Sequence, residues 1–300
     1  MTEQKASTEA LDDLLVLLEL ERIEVNLFRG LSPDEDRQRV FGGQVAAQAL
    51  VAAGRTVEPD RPVHSLHSYF LRPGDPNVPI IYEVDRIRDG RSFTTRRVIA
   101  IQHGRVIFNL AASFQIVEPG PDHEMEMPEV PGPEALPTYR ERLQPYMGRL
   151  GAEMVEWLSR ERPIDSRPVE DPHWLVPGPR PPEQDVWIRT NGTLPDDPLL
   201  HACVVAYASD LSLLDTATLP HAIGYDGHYQ MASLDHAMWF HRPFRADEWL
   251  LYHQMSPSAH GARGLALGHV FTHDGTLAIT VMQEGLIRPV ATEVEPSGKP

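Results

Sequence analysis

The chain has 300 residues, enough for two ordinary hydrophobic cores, and 41% of them are hydrophobic while 23% are charged. This composition is typical of a globular protein. The net charge of −16 argues against general nucleic-acid binding, because a phosphate backbone requires a basic surface. A single cysteine, Cys203, allows neither an intramolecular disulfide nor a cysteine cluster for a metal.

The two ends of the chain favour a cytoplasmic protein without a membrane span. The N-terminus lacks the basic segment and apolar run of a signal peptide, and we find no stretch of about 18 apolar residues that predicts a transmembrane helix. The C-terminal residues SGKP differ from the SKL-type peroxisomal signal. We therefore expect the protein in the cytoplasm.

Apolar periodicity in residues 1–118 predicts two helices followed by four strands. Leucines at helical spacing predict an amphipathic helix over 8–25. After Gly42 and Gly43, an alanine-rich segment predicts a helix buried nearly all round, whose small side chains let other elements approach closely. Strand-like runs follow at 64–71, 79–87, 92–102 and 105–117, with hairpin signals at Asp89-Gly90 and His103-Gly104.

A proline-rich segment separates this unit from a second one. Residues 119–182 hold 14 of the chain's 28 prolines, so we expect residues 119–184 to form a linker with a surface helix at about 135–160. The second unit, 185–290, has an apolar helix from about Leu199 and strands near 232–241, 248–256, 262–273 and 276–288. Residues 291–300 are predicted to be a disordered tail.

The second unit repeats the first. Pairs of similar residues recur 170 positions apart: Tyr69-Phe70 with Trp239-Phe240, Arg72-Pro73 with Arg242-Pro243, Ile81-Tyr82 with Leu251-Tyr252, and the turn at His103-Gly104 with His273-Asp274. Four matches in register indicate the duplication of a unit with one helix and an antiparallel sheet. The expected fold is therefore α+β, a double hotdog in which two fused units each wrap a curved antiparallel sheet around a central helix.

Several long motifs resemble those of the acyl-CoA thioesterase II family. They occur in the family's order and span about residues 10–118 and 185–288: Phe28-Arg29-Gly30, the segment from Val40 to Gln44, the run from His64 to Asp75, the segment from Arg88 to Phe93, Ser209-Asp210, the run from Leu234 to Pro243, and Gln283-Glu284-Gly285. The resemblance implies a catalytic trio of Asp210, Ser233 and Gln283 that holds and activates a water molecule. At Ser233 some relatives have threonine, which keeps the hydroxyl.

The same resemblance implies the reaction and its partners. The expected substrate is a medium- to long-chain fatty acyl-CoA, which is hydrolysed to the free fatty acid and coenzyme A. No metal and no organic cofactor is implied. Hotdog units usually pair, so a homodimer or homotetramer of the fused chain is expected.

These residue types suit the chemistry of a thioester. Its thiolate leaving group has a pKa near about 8.5, by analogy with cysteine, so expulsion needs little help from an acid. The enzyme must position a water, remove its proton and stabilise an oxyanion. Asp210 can act as the base, while amides at the glycine-flanked helix start, Gly43 and Gln44, could stabilise the oxyanion. His64 is a further candidate for substrate positioning.

Each member of the trio has a simpler interpretation from the sequence alone. Asp210 stands among apolar residues, where a carboxylate is costly unless it is paired or functional, but it could also cap a second helix that begins at Leu211. Ser233 could be an ordinary turn hydroxyl at the start of a strand. Gln283 lies in an apolar strand and could face outward.

Other functions remain open at this point. His64 or His67 could serve as the base, because imidazole titrates near neutral pH. Asp196 and His201 have the five-residue spacing of a hotdog enoyl-CoA hydratase, although Asp196 and Asp197 could equally be N-terminal capping residues of the helix. A non-catalytic acyl-CoA binding module is a third alternative. The sequence contains neither a Gly-x-Ser-x-Gly elbow nor a His-Glu-x-x-His zinc motif.

Arginines are the candidates for the phosphates of coenzyme A. Guanidinium groups form bidentate hydrogen bonds with phosphate, and four candidates lie in or beside predicted strands: Arg91, Arg96, Arg97 and Arg263. They could equally be solvated strand residues that pair with the abundant Asp and Glu side chains.

Overall fold

The computed structural model describes residues 2–33, 38–149, 151–173, 176, 178–224 and 228–290. The predicted tail, 291–300, lies outside the described residues. Two long segments of similar architecture are joined by a proline-rich stretch, and most of the strands lie where the periodicity of the sequence predicts them.

The first half begins with a helix and a short hairpin. Its elements are α1 (Thr2–Leu18), β1 (Glu21–Glu24), β2 (Leu27–Gly30), α2 (Gly42–Gly54), β3 (Val63–Phe70), β4 (Ile80–Asp89), β5 (Phe93–Gln102) and β6 (Arg105–Gln115). The predicted helix over 8–25 ends at Leu18, so its C-terminal boundary was wrong. Leu18 and Leu20 are the last residues of this segment to reach the core before the chain turns into β1, whose four residues are all exposed.

The connecting segment contains more structure than a linker requires. In place of one surface helix at 135–160, there are two short helices, α3 (Tyr139–Leu143) and α4 (Ala152–Ser159), separated by a 3-10 turn at Gln144–Arg149. A strand, β7 (Ile164–Pro168), also lies within the predicted linker and extends the sheet by pairing with β8 (Glu183–Thr190). The domain boundaries at 118 and 185 stay a prediction.

The second half repeats the helix and the antiparallel sheet. It contains α5 (Pro198–Ser209), β9 (Tyr229–Ser233), β10 (Asp235–Phe240), β11 (Leu250–His260), β12 (Arg263–Thr272) and β13 (Leu277–Pro289). The strand predicted near 232–241 is divided at Leu234, whose backbone N–H donates to Glu284 and whose carbonyl accepts from Phe70. The division lets β9 pair with β13 while β10 pairs with both β3 and β13.

All described strands belong to one antiparallel sheet with the order β1-β2-β4-β5-β6-β3-β10-β13-β12-β11-β8-β7, and β9 pairs with β13 beside this path. β3 and β10 join the halves. His67 lies opposite Ala237 across this junction, and these two residues are also equivalent in the sequence repeat. The halves are therefore related by an approximate two-fold axis between His67 and Ala237.

The two central helices pack against each other under the sheet. A Cβ atom added at Gly43 would collide with the carbonyl oxygen of Tyr207, and one at Gly54 would collide with the side chain of Leu199. Since Gly43 opens α2 and Leu199 opens α5, the helices run antiparallel. Small residues permit this close approach, as the alanine-rich sequence of α2 predicts. The architecture is the double hotdog.

A hydrophobic segment long enough by composition to cross a membrane occurs once among the described residues, at Pro198–His221. No such stretch was expected from the sequence. In the structure, α5 occupies only the first 12 residues of the segment, and 67% of its apolar window is buried inside the fold. A 12-residue helix spans about 18 Å, short of a hydrocarbon core of about 30 Å. The segment is the central helix of the second half.

The proline-rich stretch covers part of the second half of the sheet. A separate apolar cluster of Trp187, Trp249, Leu251 and Phe271 packs against Met127, Val130 and Leu136 of this stretch, among others. The indole N–H groups of Trp187 and Trp249 donate to Pro131 O and Glu134 Oε1. The stretch therefore acts as a strap on the sheet.

Candidate active site

The predicted trio converges where α5 ends. Asp210 is the C-cap of α5, and its half-buried carboxylate lies between the sheet and the helix start of the first half. Ser233 Oγ donates to Asp210 Oδ1 at 3.1 Å, and Gln283 Nε2 donates to the same oxygen at 2.5 Å. The side chain of Asp210 is thus bound by two residues distant in sequence and does not cap a helix at Leu211.

Strand pairing explains why these two donors reach one oxygen. Ser233 lies opposite Gly285 in the pairing of β9 with β13, so its side chain emerges on the same face of the sheet as Gly285 and Gln283. Gln283 is completely buried, which contradicts the outward-facing interpretation. Its Oε1 has no hydrogen-bond partner among the described residues.

The other oxygen of Asp210 faces the first half of the chain. A Cβ atom added at Gly42 would lie 2.7 Å from Asp210 Oδ2 and 3.0 Å from the ring of Phe70. The first hydrogen bond of α2 runs from Val45 N to Phe41 O, so the amides of Gly42, Gly43 and Gln44 precede it. The partial positive charge of a helix N-terminus therefore lies beside Asp210 Oδ2.

A buried pair, Ser209 and His236, lies next to Asp210. Ser209, the neighbour of Asp210, donates to Ala206 O at 3.1 Å and lies 2.9 Å from His236 Nε2. Burial lowers the pKa of His236, although the charges of Asp210 and Asp235 oppose that shift. His236 was not predicted as a site residue; its only signal in the sequence is its place in the motif that begins at Leu234.

The remaining positioning candidates occupy different places. The backbone of Gly43 lies at the start of α2, next to Gly42. The side chain of Gln44 is directed away from Asp210, since Nε2 donates to Leu31 O and Ser32 Oγ, each at 3.2 Å. His64 Nε2 lies 2.8 Å from Ser113 Oγ, on the face of the sheet opposite to the helices. His64 is therefore not brought to Asp210.

Three of the four arginines predicted to bind coenzyme A are spread over the surface. Arg97 donates to Asp85 Oδ2 at 2.9 Å, and Arg263 donates to Glu284 Oε1 at 2.9 Å. Arg91 is exposed beside the turn between β4 and β5. The structure does not bring Arg91, Arg97 and Arg263 together.

The rival catalytic residues do not assemble. His67 is exposed on β3, in an edge contact with Trp239. For a hydratase, Asp196 and His201 would have to converge; instead the side chain of Asp196 is 94% exposed and pairs with Arg245, while His201 is buried and accepts from Ala246 N. Among the residues that the structure describes, no group of three or more His, Cys, Asp or Glu side chains could hold a metal ion.

The two-fold relation between the halves identifies the residue of the first half that is equivalent to Gln283. Met282 lies opposite Ala237 and Ala111 lies opposite His67, so Gln283 corresponds to Ala112.

The residue across from Gln283 is Ala266, and the residue across from Ala112 is Arg96. Arg96 is 1% exposed. It donates to Thr56 Oγ1 and Thr56 O, just after α2, and pairs with Asp89 at 2.6 Å. In the first half, the residue equivalent to Gln283 is thus an alanine, and the residue across from it is a buried arginine instead of an alanine.

Comparisons with known proteins agree with this fold and give its family. A family model described as acyl-CoA thioesterase matches residues 158–286, and one described as the acyl-CoA thioesterase N-terminal domain matches residues 32–115. Acyl-coenzyme A thioesterase 8 of Mus musculus is 45% identical over 285 residues, which cover 91% of this chain and 88% of that protein. Acyl-CoA thioesterase 2 of Haemophilus influenzae is 42% identical over 282 residues, covering 94% and 99%.

A solved structure gives the same answer for the architecture. The crystal structure of an acyl-CoA thioesterase II from Mycobacterium marinum superposes with a TM-score of 0.76 at 48% identity, covering 92% of this chain and 98% of that one. Sequence identity and coverage of this extent, together with the double hotdog, show that the chain belongs to the acyl-CoA thioesterase II family, a family of thioester hydrolases.

Proposed function

We propose that this chain hydrolyses acyl-CoA by direct attack of a water molecule that Asp210 deprotonates. The observation that carries the proposal is that the two carboxylate oxygens of Asp210 have different surroundings. Oδ1 is held by Ser233 and Gln283, while Oδ2 lies toward Gly42 and the start of α2. Because the hydrogen bonds that fix the carboxylate use only Oδ1, the lone pairs of Oδ2 can accept a hydrogen bond from a water molecule.

The buried amide of Gln283 supplies a second point of attachment. Its Oε1 lacks a partner among the described residues, and a buried acceptor in that state is costly. A water that donates one proton to Gln283 Oε1 and the other to Asp210 Oδ2 would satisfy both acceptors. Two acceptors fix the orientation of the attacking oxygen before the reaction begins.

The bond changes then follow in order. The water oxygen bonds to the thioester carbonyl carbon as its proton passes to Asp210, and the carbonyl electron pair moves onto oxygen. Amides at the start of α2, including Gly42 and Gly43, stabilise this oxyanion. Collapse of the tetrahedral species breaks the carbon–sulphur bond, and the proton held by Asp210 neutralises the departing thiolate as free CoA forms.

Finer features belong to the same proposal. Medium- to long-chain acyl groups are favoured because the rings of Phe70, Phe41 and Tyr207 lie around the glycines next to Asp210. The cytoplasm is the proposed location, and a homodimer or homotetramer the proposed assembly.

Release of free thiol from an acyl-CoA series, from acetyl to palmitoyl, tests the activity. We expect turnover that rises toward the longer chains. In Asp210→Asn, which keeps the shape and can still accept from Ser233, kcat should fall by about 10²- to 10⁴-fold because the general base is lost. A circular dichroism melt shows whether the variant remains folded. Near-normal thiol release by folded Asp210→Asn would remove Asp210 from the role of base.

A further inference from the structure

A polar groove opens next to the candidate active site. It has a volume of about 430 Å³ and is lined by Gln38, Arg39, Pro73, Tyr229, Gln230 and Met231. Pockets that bind small molecules usually measure about 300–1,000 Å³, so the groove has room for an organic ligand and not only for water.

The two chain segments that form the walls of the groove each continue to a residue next to Asp210. One wall is the segment that runs from Arg39 through Phe41 into Gly42, which adjoins Asp210 Oδ2. The other wall is β9, which ends at Ser233, the donor to Asp210 Oδ1. At a strand rise of about 3.3 Å per residue, Met231 lies about 7 Å and Tyr229 about 13 Å from Ser233. The groove thus extends outward from the reacting centre.

The groove carries a positive charge, whereas the net charge of the whole chain is negative. Arg39 is the charged member of the lining, and the other five side chains are neutral, in a chain whose net charge is −16. Arg39 Nη2 donates to Met231 O at 2.9 Å, and this hydrogen bond holds the guanidinium against β9. A guanidinium has five N–H donors, so further donors are left for a ligand. Arg288 lies opposite Gln230 in the pairing of β13 with β9 and adds a second cation at the rim.

We propose that this groove binds the pantetheine arm and the adjoining phosphate of the thioester substrate, with Arg39 in contact with the phosphate. The proposal rests on the proposed hydrolysis of acyl-CoA and names the path of the leaving group. The amide side chains of Gln38 and Gln230 match the amide bonds of pantetheine, and a guanidinium matches phosphate. Arg97 and Arg263 are already paired with carboxylates, whereas Arg39 is bound to a backbone carbonyl.

The test compares two substrates that differ in phosphate. S-decanoyl-CoA carries the phosphates and S-decanoyl-pantetheine does not. In Arg39→Gln, KM for decanoyl-CoA should rise about tenfold, the loss expected for one charge-assisted hydrogen bond. KM for decanoyl-pantetheine should be unchanged. The control is Arg160→Gln, which removes an exposed arginine paired with Glu156 on α4 and should leave both KM values at the wild-type level.

Two results of this comparison would already overturn the assignment. If Arg39→Gln raised KM equally for both substrates, Arg39 would only support β9; if it changed neither, the phosphate would bind elsewhere. A third substrate, S-decanoyl-4′-phosphopantetheine, carries only the phosphate next to pantetheine, which carrier-protein thioesters share. If Arg39→Gln also raises KM for this substrate, Arg39 contacts that phosphate. If KM rises for decanoyl-CoA alone, Arg39 does not contact it and the assignment is overturned.

Binding of free CoA by calorimetry separates this proposal from the proposed function. If the wild-type protein bound CoA in an Arg39-dependent way but released no thiol from any acyl-CoA, hydrolysis would be refuted and the groove assignment retained. If it released thiol while Arg39→Gln bound CoA as tightly as the wild type, the groove assignment would be refuted and hydrolysis retained.

Discussion

At the scale of single residues, the site depends on three side chains of unequal importance. Gln283 is fully buried and makes the shorter hydrogen bond to Asp210 Oδ1, whereas Ser233 is half-buried and makes the longer one. Gln283 also offers Oε1 to the attacking water in the proposed mechanism. Loss of the amide should therefore affect the transition state more than loss of the hydroxyl.

Gln283→Leu keeps the approximate volume and removes both the donor and the acceptor. We expect kcat for decanoyl-CoA to fall about 10²-fold while KM changes little, since the amide holds the water and not the substrate. Steady-state thiol release measures both constants. A rise in KM with kcat unchanged would instead place Gln283 in substrate binding.

Ser233 can be tested with a matched pair of substitutions. Ser233→Ala removes the hydroxyl and should lower kcat about tenfold, because one hydrogen bond to the base contributes on the order of 1–2 kcal/mol. Ser233→Thr keeps the hydroxyl and should retain most of the activity. Equal losses in the two variants would contradict a role for the hydroxyl and point to packing of β9.

The sequence could predict the trio but not the roles around it. The family resemblance implies Asp210, Ser233 and Gln283, with threonine as an alternative to the serine, and the structure brings the three side chains together. Gln44 and His64 were attractive by residue type alone; their hydrogen bonds to Leu31 and Ser113 depend on packing that no local pattern specifies. The roles of Ser209 and His236 likewise required the position of β10 under α5.

At the scale of elements, the meeting of two helix ends forms the site. α5 delivers Asp210 at its C-terminus, and the antiparallel α2 presents its N-terminus to the same point. Glycine at position 42 is required because Asp210 Oδ2 and the Phe70 ring occupy the space of a Cβ atom. The predicted strands lie close to β3 to β6 and β9 to β13, since alternating burial is visible in the sequence. The α1 boundary and the strands β1, β2, β7 and β8 were not predicted.

Gly42→Ala should separate the two helix ends without unfolding the protein. Alanine is a better helix former than glycine by about 1 kcal/mol, so α2 should persist. The added methyl group would displace the carboxylate, and a shift of this size can lower kcat about 10²-fold. Thiol release and a thermal melt measure the two effects.

The matched control is Gly120→Ala, where no heavy atom lies within 4 Å of an added Cβ and activity should stay at the wild-type level. Wild-type turnover by Gly42→Ala would show that Asp210 Oδ2 is not constrained by α2.

At the scale of the whole molecule, burial of several histidines makes the fold sensitive to acid. Burial is the leading cause that lowers the pKa of His64, His201, His236, His241 and His269. It also lowers the pKa of His173 from 6.5 to about 4, with Arg180 adding to the shift. The opposite case is His253, whose pKa is raised by Asp185.

The sign of the effect follows from proton uptake. The unfolded chain binds protons at these histidines near pH 6.5, but the folded chain binds them only at lower pH, so acid favours unfolding. Their contribution to stability is complete above about pH 6.5 and is lost as the pH falls toward the folded pKa values. We expect the free energy of unfolding, measured by urea titration, to decrease from pH 7 to pH 4.5. A stability that increases over this interval would contradict the burial of neutral imidazoles.

The strap is the part of the molecule that sequence reasoning described least well. Its prolines indicate irregular backbone, which the structure has, but they do not reveal that Met127 and Val130 pack on Trp249 and its neighbours. Such contacts join residues more than 50 positions apart in the chain and have no periodicity of their own. The double hotdog itself was predictable because the duplication preserves motifs in register.

The two-fold relation between the halves has a consequence for the number of reaction centres. A dimer of identical units would carry two equal copies, but here the position equivalent to Gln283 is Ala112, which lies across from the buried Arg96, so the first half lacks the amide of the candidate site. The working centre draws its carboxylate from one repeat and its helix N-terminus from the other. Neither repeat could act as an independent esterase, and a tight-binding thioether analogue should saturate the protein at one mole per mole of polypeptide.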